Sequence, residues 1–261
     1  MNALTTRAWG LYRGLAARYP FVRSVLAPIR WHFHFNYLSY GISRLRGLTY
    51  RDWYARVLDN FACTAAPPQM EGLERQMGAF QLEYLVNHGL KPGHSLLDYG
   101  CGNLRAGVFL IEYLNPKCYV GADISTGRLA QGRCRIAEFG LEAKLPDLVG
   151  LGSMSLDELG GRTVDVIWAQ GVLAHMPLAD IDALFRNIRK VMHRGSVFYV
   201  NYGDGDGRCF KTSMKDFFYD ASVIHGICAK YNLVSEPMTD WRHAWPHPLQ
   251  DRDRMLRVTL K

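Results

Sequence analysis

No stretch of this sequence approaches the ~20 uncharged apolar residues that a helix needs to span a membrane. None of the six cysteines, at positions 63, 101, 118, 134, 209 and 228, forms a C-x-x-C pair. That absence removes the zinc ribbon and the dithiol redox motif, and a reduced, cytosolic chain is the simplest expectation. There is no internal repeat, and glycine and proline are scattered. The first 50 residues lack lysine, aspartate and glutamate altogether, yet hold Arg7, Arg13, Arg18, Arg23, Arg30, Arg44 and Arg46. The rest of the chain carries 24 basic and 24 acidic residues, so the whole formal charge of +7 belongs to the first fifth. The overall basic balance therefore says nothing about the ligand of the main body.

What is present, at 261 residues, is enough chain for one large α/β domain. Apolar residues at helical spacing (Leu73, Met77, Phe80, Tyr84, Leu85), closed by Gly89 and Pro92, predict a helix before residue 90. Short apolar runs then alternate with helical patterns. SLLDY, CYVGADIS, DLVGLGS, VDVIWAQ and SVFYVNY read as strands one to five, and LVSEP and RMLRVTL as closing strands. AGVFLIEYL, GRLAQGRCRIAEFG, PLADIDALFRNIRKVMHRG and KDFFYDASVIHGICAKYN read as helices. Such alternation implies parallel βαβ units in a doubly wound sheet.

In that sheet, ligands bind beyond the carboxyl ends of the strands. LLDYGCGNLRAG places Gly100, Gly102 and Gly107 directly after strand one, where missing side chains let backbone approach a ligand. Asp123 follows Gly102 by 21 residues, at the end of strand two. An acid there suits a ribose diol, and the combination points to a nucleotide-like ligand. The G-x-G-x-x-G spacing of dinucleotide sites fails, because Arg105 occupies the third glycine position.

LDYGCG instead resembles the first motif of class I S-adenosylmethionine-dependent methyltransferases, in a variant written GCGNLRAG. YVGADIS looks like their second strand with its ribose-binding acid. VDVIWAQGVLAHMP looks like their fourth strand and following loop, and IRKVMHRGSVFYVNY like the helix and fifth strand beyond it. The resemblance runs from about residue 75 to the C-terminus. It implies an α/β, doubly wound, Rossmann-like seven-stranded sheet whose last strand, RMLRVTL, is antiparallel. The cofactor it implies is S-adenosyl-L-methionine. Many members carry a third glycine where Leu104 stands here, and an acid near the adenine amine where the alignment places Ser153 and Met154.

On this reading Gly100, Cys101 and Gly102 form the turn beside the methionine end of the cofactor. Asp98 bonds the cofactor amine or a water, or else orients the glycine loop through its backbone N–H groups. Asp123 accepts from two ribose hydroxyls, or else caps the next helix with Ser125. Ile124 flanks it, and Gln170 lines the pocket beyond strand four or is a solvated loop amide. Arg105 covers the helix start or pairs with an anionic substrate. A sulfonium methyl is already activated, so the protein must chiefly align the reactants, exclude water and, for some acceptors, take a proton. His175, in GVLAHMP, is the candidate base; the alternative is that it caps or braces its loop. Tyr202 and Asp204 could face substrate, although GDGDG favours a turn role for Asp204 and Asp206. His32, His34, His243 and His247 lack cysteine partners at zinc spacing, and no metal is expected.

The chain then divides into a basic, aromatic-rich N-terminal helical extension (residues 1–68) and a cofactor-binding domain (69–261). Leu4, Ala8, Leu11 and Leu15 share one helical face of the extension. It is either a lid over the acceptor or a peripheral contact with an anionic membrane surface; a transit peptide is a third reading. Seven arginines without a known module make a poor case for nucleic acid. The expected activity is O-methylation of a small molecule, sugar (glycan) or lipid-linked acceptor by a cytoplasmic enzyme. N-methylation and a non-catalytic S-adenosylmethionine-binding protein are the alternatives.

Overall fold

The computed structural model describes residues 35–62, 68–241 and 250–261. The helical face at Leu4–Leu15, His32, His34, His243 and His247 lie outside them. The chain divides after Tyr50 into two units. In the first, helix α1 (Phe35–Leu45) precedes Tyr50, whose ring meets that of Tyr40 edge-on at 5.8 Å. Helix α2 (Tyr50–Ala62) begins at the division, so its residues from Arg51 onward belong to the second unit, although the sequence reading assigned them to the extension.

The second unit follows the expected alternation. Helix α3 (Pro68–Asn87) leads into β1 (Leu96–Tyr99), α4 (Gly107–Tyr113), β2 (Tyr119–Asp123), α5 (Thr126–Glu138), β3 (Asp147–Gly150) and β4 (Val164–Ala169). Helix α6 (Leu178–Ile188), β5 (Met192–Gly203), β6 (Phe210–Ser213), β7 (Asp216–Phe218), α7 (Ala221–Lys230), β8 (Leu233–Met238) and β9 (Asp253–Leu260) complete it. Seven strands form one sheet in the order β3-β2-β1-β4-β5-β9-β8. β1 to β5 run parallel, and β9 is antiparallel to both β5 and β8. The expected fold is thus the observed one.

Alternate residues of each strand feed opposite faces. Leu97, Ile167, Phe198 and Val200 pack with Ile181, Leu184, Phe185 and Ile188 of α6 and Ile224 of α7. Leu96, Val166, Trp168 and Tyr199 pack with Tyr84 and Leu85 of α3, Leu110 and Ile111 of α4, and Leu129 and Ile136 of α5. Each fully buried Leu or Phe contributes at most about 2–3 kcal/mol. The Trp168 indole N–H is not orphaned, because it donates to Gln81 Oε1 at 2.8 Å.

Two expectations need correction. Residues 215–232 are not one helix: Asp216–Phe218 pair antiparallel with β6, and α7 starts only at Ala221. Asp220 sets that start, since its carboxylate accepts the Ser222 N–H at 2.8 Å and competes with helix continuation N-terminally. The Phe210 and Phe218 rings stack at 4.8 Å across the hairpin. α6 likewise ends at Ile188 rather than reaching Gly195, and β5 begins at Met192.

Candidate active site

The carboxyl ends of β1, β2 and β4 lie side by side, with Tyr99 paired to Ala122 and Asp98 to both Gly121 and Trp168. The chain leaving β1 turns through Gly100 (φ +79°) and Gly102 (φ +56°). A β-carbon on Gly100 would stand 2.5 Å from Val172 Cγ2, so this turn is closed to any larger residue. Leu104 also adopts a left-handed conformation (φ +64°), where the resembling family favours glycine, and its side chain is fully buried.

Asp123 braces this turn from below. Its Oδ2 accepts the Gly102 N–H at 2.8 Å and its Oδ1 the Ser125 N–H at 2.7 Å. Burial raises its pKa, while those backbone bonds favour the carboxylate. The helix cap itself is Ser125, whose Oγ accepts the Arg128 N–H at 3.1 Å. Asp98 does not hold the loop: its Oδ2 accepts the Tyr119 hydroxyl at 2.8 Å, and burial pushes its carboxyl up to about 7. Cys101 is buried, its thiol raised by desolvation, and its Sγ lies 3.9 Å from the Gly102 carbonyl.

On the far side of Asp123, its carbonyl accepts the Leu151 N–H at 2.8 Å and draws in the loop after β3. Ser153 is exposed there, with its N–H given to Glu158 Oε1 (3.0 Å) and its hydroxyl 2.6 Å from that of Ser155. Met154 is part-buried, its Sδ 4.0 Å from the Tyr99 hydroxyl. Ile124 is part-buried against the same core.

The loop after β4 closes the opposite wall. Gln170 Oε1 accepts from Arg105 at 3.0 Å, so these two residues meet each other rather than solvent alone. Asn201 of β5 fixes the following turn, accepting the Gly171 N–H at 2.6 Å and donating to Asp253 at 2.7 Å. His175 Nδ1 bonds the backbone carbonyl of Lys215 and lies 3.8 Å from Asp216 Oδ1. A carbonyl can only accept, so Nδ1 carries the proton and Nε2 is the ring's proton acceptor. Desolvation lowers the His175 pKa, against the Lys215 carbonyl and Asp216. Asp204 Oδ1 accepts the Asp206 N–H at 2.9 Å, the turn role expected of it, and Asp204 pairs with Arg254 at 3.3 Å.

Several residues here escaped the sequence reading. Tyr54 of α2 packs against His175, ring centroids 5.8 Å apart. Asp59 accepts from the Ser125 hydroxyl and the Gly127 N–H at 2.6 and 2.9 Å, tying α2 to the start of α5. Arg51 donates to the Leu151 carbonyl. Asp216 sits on a strand that had been read as helix. The only local signal was the acid and aromatic residues of YRDWYARVLDNFA, which a helical extension equally explains.

Residues 97–198 match the family model described as a methyltransferase domain. That segment is similar to methyltransferase domains. Its fold is similar to that of magnesium protoporphyrin IX methyltransferase from Synechocystis PCC 6803, solved with bound SAM: TM-score 0.63 and 14% identity over 82% of this chain and 98% of that one. An S-adenosylmethionine-dependent methyltransferase from Clostridium acetobutylicum ATCC 824 matches with TM-score 0.54 and 13% identity, over 80% and 98% of the two chains. The glycopeptide N-methyltransferase MtfA, complexed with sinefungin, gives 0.55 and 13%, over 71% and 94%. The likeness to these three is one of fold. The matched segment spans the glycine turn, Asp123, Gln170 and His175. Among the described residues no group of three or more His, Cys, Asp or Glu could hold a metal ion, and no helix is long and apolar enough to cross a membrane.

Proposed function

We propose that this chain transfers the methyl group of S-adenosylmethionine to a hydroxyl of a small molecule, sugar or lipid-linked acceptor, with His175 as the general base. The observation that carries the reading is the way Asp123 joins the glycine turn to the end of β2. Each of its carboxylate oxygens spends one acceptor position on a backbone N–H. A carboxylate has about four such positions, so one on each oxygen remains for a ribose hydroxyl. Asp98, buried below Gly100, suits the cofactor's ammonium group. Gly100 and Gly102 bring backbone rather than side chain to the methionyl end, and Ile124 and Met154 offer apolar surface to the base, with Ser153 at its edge. Cys101 and Gln170 complete the lining. When bound, S-adenosylmethionine supplies a methyl already activated by its sulfonium.

The chain's part is then alignment, exclusion of water and removal of one proton. Nδ1 of His175 is held by the Lys215 carbonyl with Asp216 beside it, which leaves Nε2 as the basic atom. A lowered pKa keeps that atom unprotonated at neutral pH. Tyr54 packs on the imidazole, and the His175 side chain keeps 36% of its surface exposed, open to an acceptor. Support for a small acceptor comes from similar folds that serve a porphyrin and a glycopeptide methyltransferase. The test is transfer of radiolabelled methyl from S-adenosylmethionine to a fractionated metabolite extract. Label that appears on an oxygen of the product and requires His175 supports the reading. Tight cofactor binding with no label transferred to any fraction refutes it in favour of a binding protein, and label on nitrogen refutes the hydroxyl acceptor.

A further inference from the structure

Two guanidinium groups flank the glycine turn without a carboxylate in direct ion-pair contact. Arg128, in the first turn of α5, donates its backbone N–H to Ser125. Its guanidinium has no hydrogen-bond or ion-pair partner among the described residues, and its Nε is buried without one. The head group leans on the turn, with Nη1 3.3 Å from where a Gly102 β-carbon would be. It is close enough to Tyr54, Asp123 and His175 to influence the ionisation of all three. Arg105, within the turn, has only the neutral amide of Gln170 as its partner. Burial lowers its pKa most, with Arg128 adding to that, while Glu74 and Asp98 act from a distance in favour of its charge.

Both side chains are partly withdrawn from water, and a cation so placed without a paired anion is costly. The carboxylates nearby are committed elsewhere: Glu74 pairs with Arg135 at 2.9 Å. Asp98 is bonded to Tyr119 and Asp123 to two backbone N–H groups. S-adenosylmethionine does not remove the imbalance, because its sulfonium and ammonium outnumber its single carboxylate. The missing negative charge has to arrive with the other reactant. We propose that Arg128, backed by Arg105, is an oxyanion subsite that holds a carboxylate or phosphate of the methyl acceptor. The planar guanidinium takes either group through paired N–H donors. This assignment rests on the methyltransferase reading above, and it narrows the acceptor to an anionic one whose charged group reaches the space between Gly102 and Tyr54.

The other source of a carboxylate is the cofactor's own methionyl tail, so the experiment separates the two. Wild type, Arg128→Gln and Arg128→Lys are titrated with S-adenosylhomocysteine, with 5′-methylthioadenosine (which lacks the amino-acid tail) and with inorganic phosphate as the anion probe. The phosphate titration is run with and without S-adenosylhomocysteine. Phosphate is expected to bind the glutamine variant at least ~10-fold more weakly than wild type, with the lysine variant between, as charged hydrogen bonds imply. Both nucleosides should hold within about threefold, since neither then touches Arg128. Phosphate binding that is absent in wild type, or equal in wild type and Arg128→Gln, overturns the subsite. A tenfold loss confined to S-adenosylhomocysteine hands Arg128 to the cofactor tail and overturns the acceptor assignment. Wild type that binds neither nucleoside overturns the methyltransferase reading instead, and the phosphate titration alone still decides the subsite.

Discussion

Asp98 makes a prediction that can be worked through in numbers. Burial raises its carboxyl to about 7, against the Tyr119 hydroxyl, which bonds it at 2.8 Å and lowers it. At pH 7 roughly half of the molecules therefore carry a proton on Asp98. A cationic ammonium brought beside the group favours the carboxylate. Binding of S-adenosylhomocysteine at pH 7 should thus expel up to about half a proton per site. Calorimetric titrations in PIPES and in Tris, which differ in ionisation enthalpy, should give apparent heats that differ by that fraction. Asp98→Asn keeps an oxygen acceptor for Tyr119 but cannot titrate, and its two heats should coincide. The same shift has a stability arm. The folded chain holds the Asp98 proton more tightly than the unfolded one, so stability falls as pH rises from the ordinary carboxylate value near 4 to about 7. Three pKa units set a ceiling of about 4 kcal/mol, and Asp98→Asn should gain more on wild type at pH 8 than at pH 5. Identical wild-type heats in both buffers, with no pH-dependent gain in the variant, would refute the argument.

Further outcomes can be stated. Asp123→Ala should weaken S-adenosylhomocysteine binding at least ~10-fold and, by orphaning the Gly102 and Ser125 N–H groups, cost about 1–3 kcal/mol in denaturant unfolding; unchanged affinity would mean that another acid holds the ribose. His175→Asn should slow methyl transfer by roughly 10²–10⁴ and abolish the acidic limb of the pH–rate profile. In wild type that limb should lie below the usual histidine value near 6.5, because burial lowers the group; a limb that survives the substitution would show that His175 only braces its loop. Leu104→Gly relieves about 1–2 kcal/mol of left-handed strain but empties a fully buried site worth roughly 2–5 kcal/mol, so net destabilisation is expected, and a rise in melting temperature would reverse the reasoning. A chain starting at residue 51 should keep cofactor binding, while one starting at residue 63 loses Tyr54 and the Asp59 brace and should bind more weakly; equal affinities would remove α2 from the site.

The parts of this molecule that announce themselves in the sequence are those whose physics is local. Apolar runs four to eight residues long mark β1, β2 and β4, and the Gly100–Gly102 turn with Asp123 downstream marks the carboxyl edge. The Asp204 turn is equally local, because its hydrogen bond spans two residues. What stayed hidden depends on distant partners. Asp59 meets Ser125 across 66 residues, and Asn201 meets Gly171 across 30; no periodicity encodes either. The β6–β7 hairpin was lost because KDFFYD is apolar enough to join the helix behind it, until Asp220 caps that helix. Leu104 runs against its own propensity, and only the packing around it explains its conformation.

The position of β9 bears on how the chain is made. It is the last strand in chain order, yet it lies between β5 and β8 and pairs with both. A ribosome releases β5 about 50 residues before it releases β9. At bacterial-to-eukaryotic elongation speeds of roughly 5–20 residues per second, that interval is on the order of several seconds. During it the long edge of β5, apolar from Phe198 to Val200, faces solvent with an unpaired row of backbone groups. An open edge of that kind is a template for pairing with another nascent copy. Stop codons, frameshifts or bulky fusions near residue 253 should therefore act as solubility lesions long before they reach the chemistry.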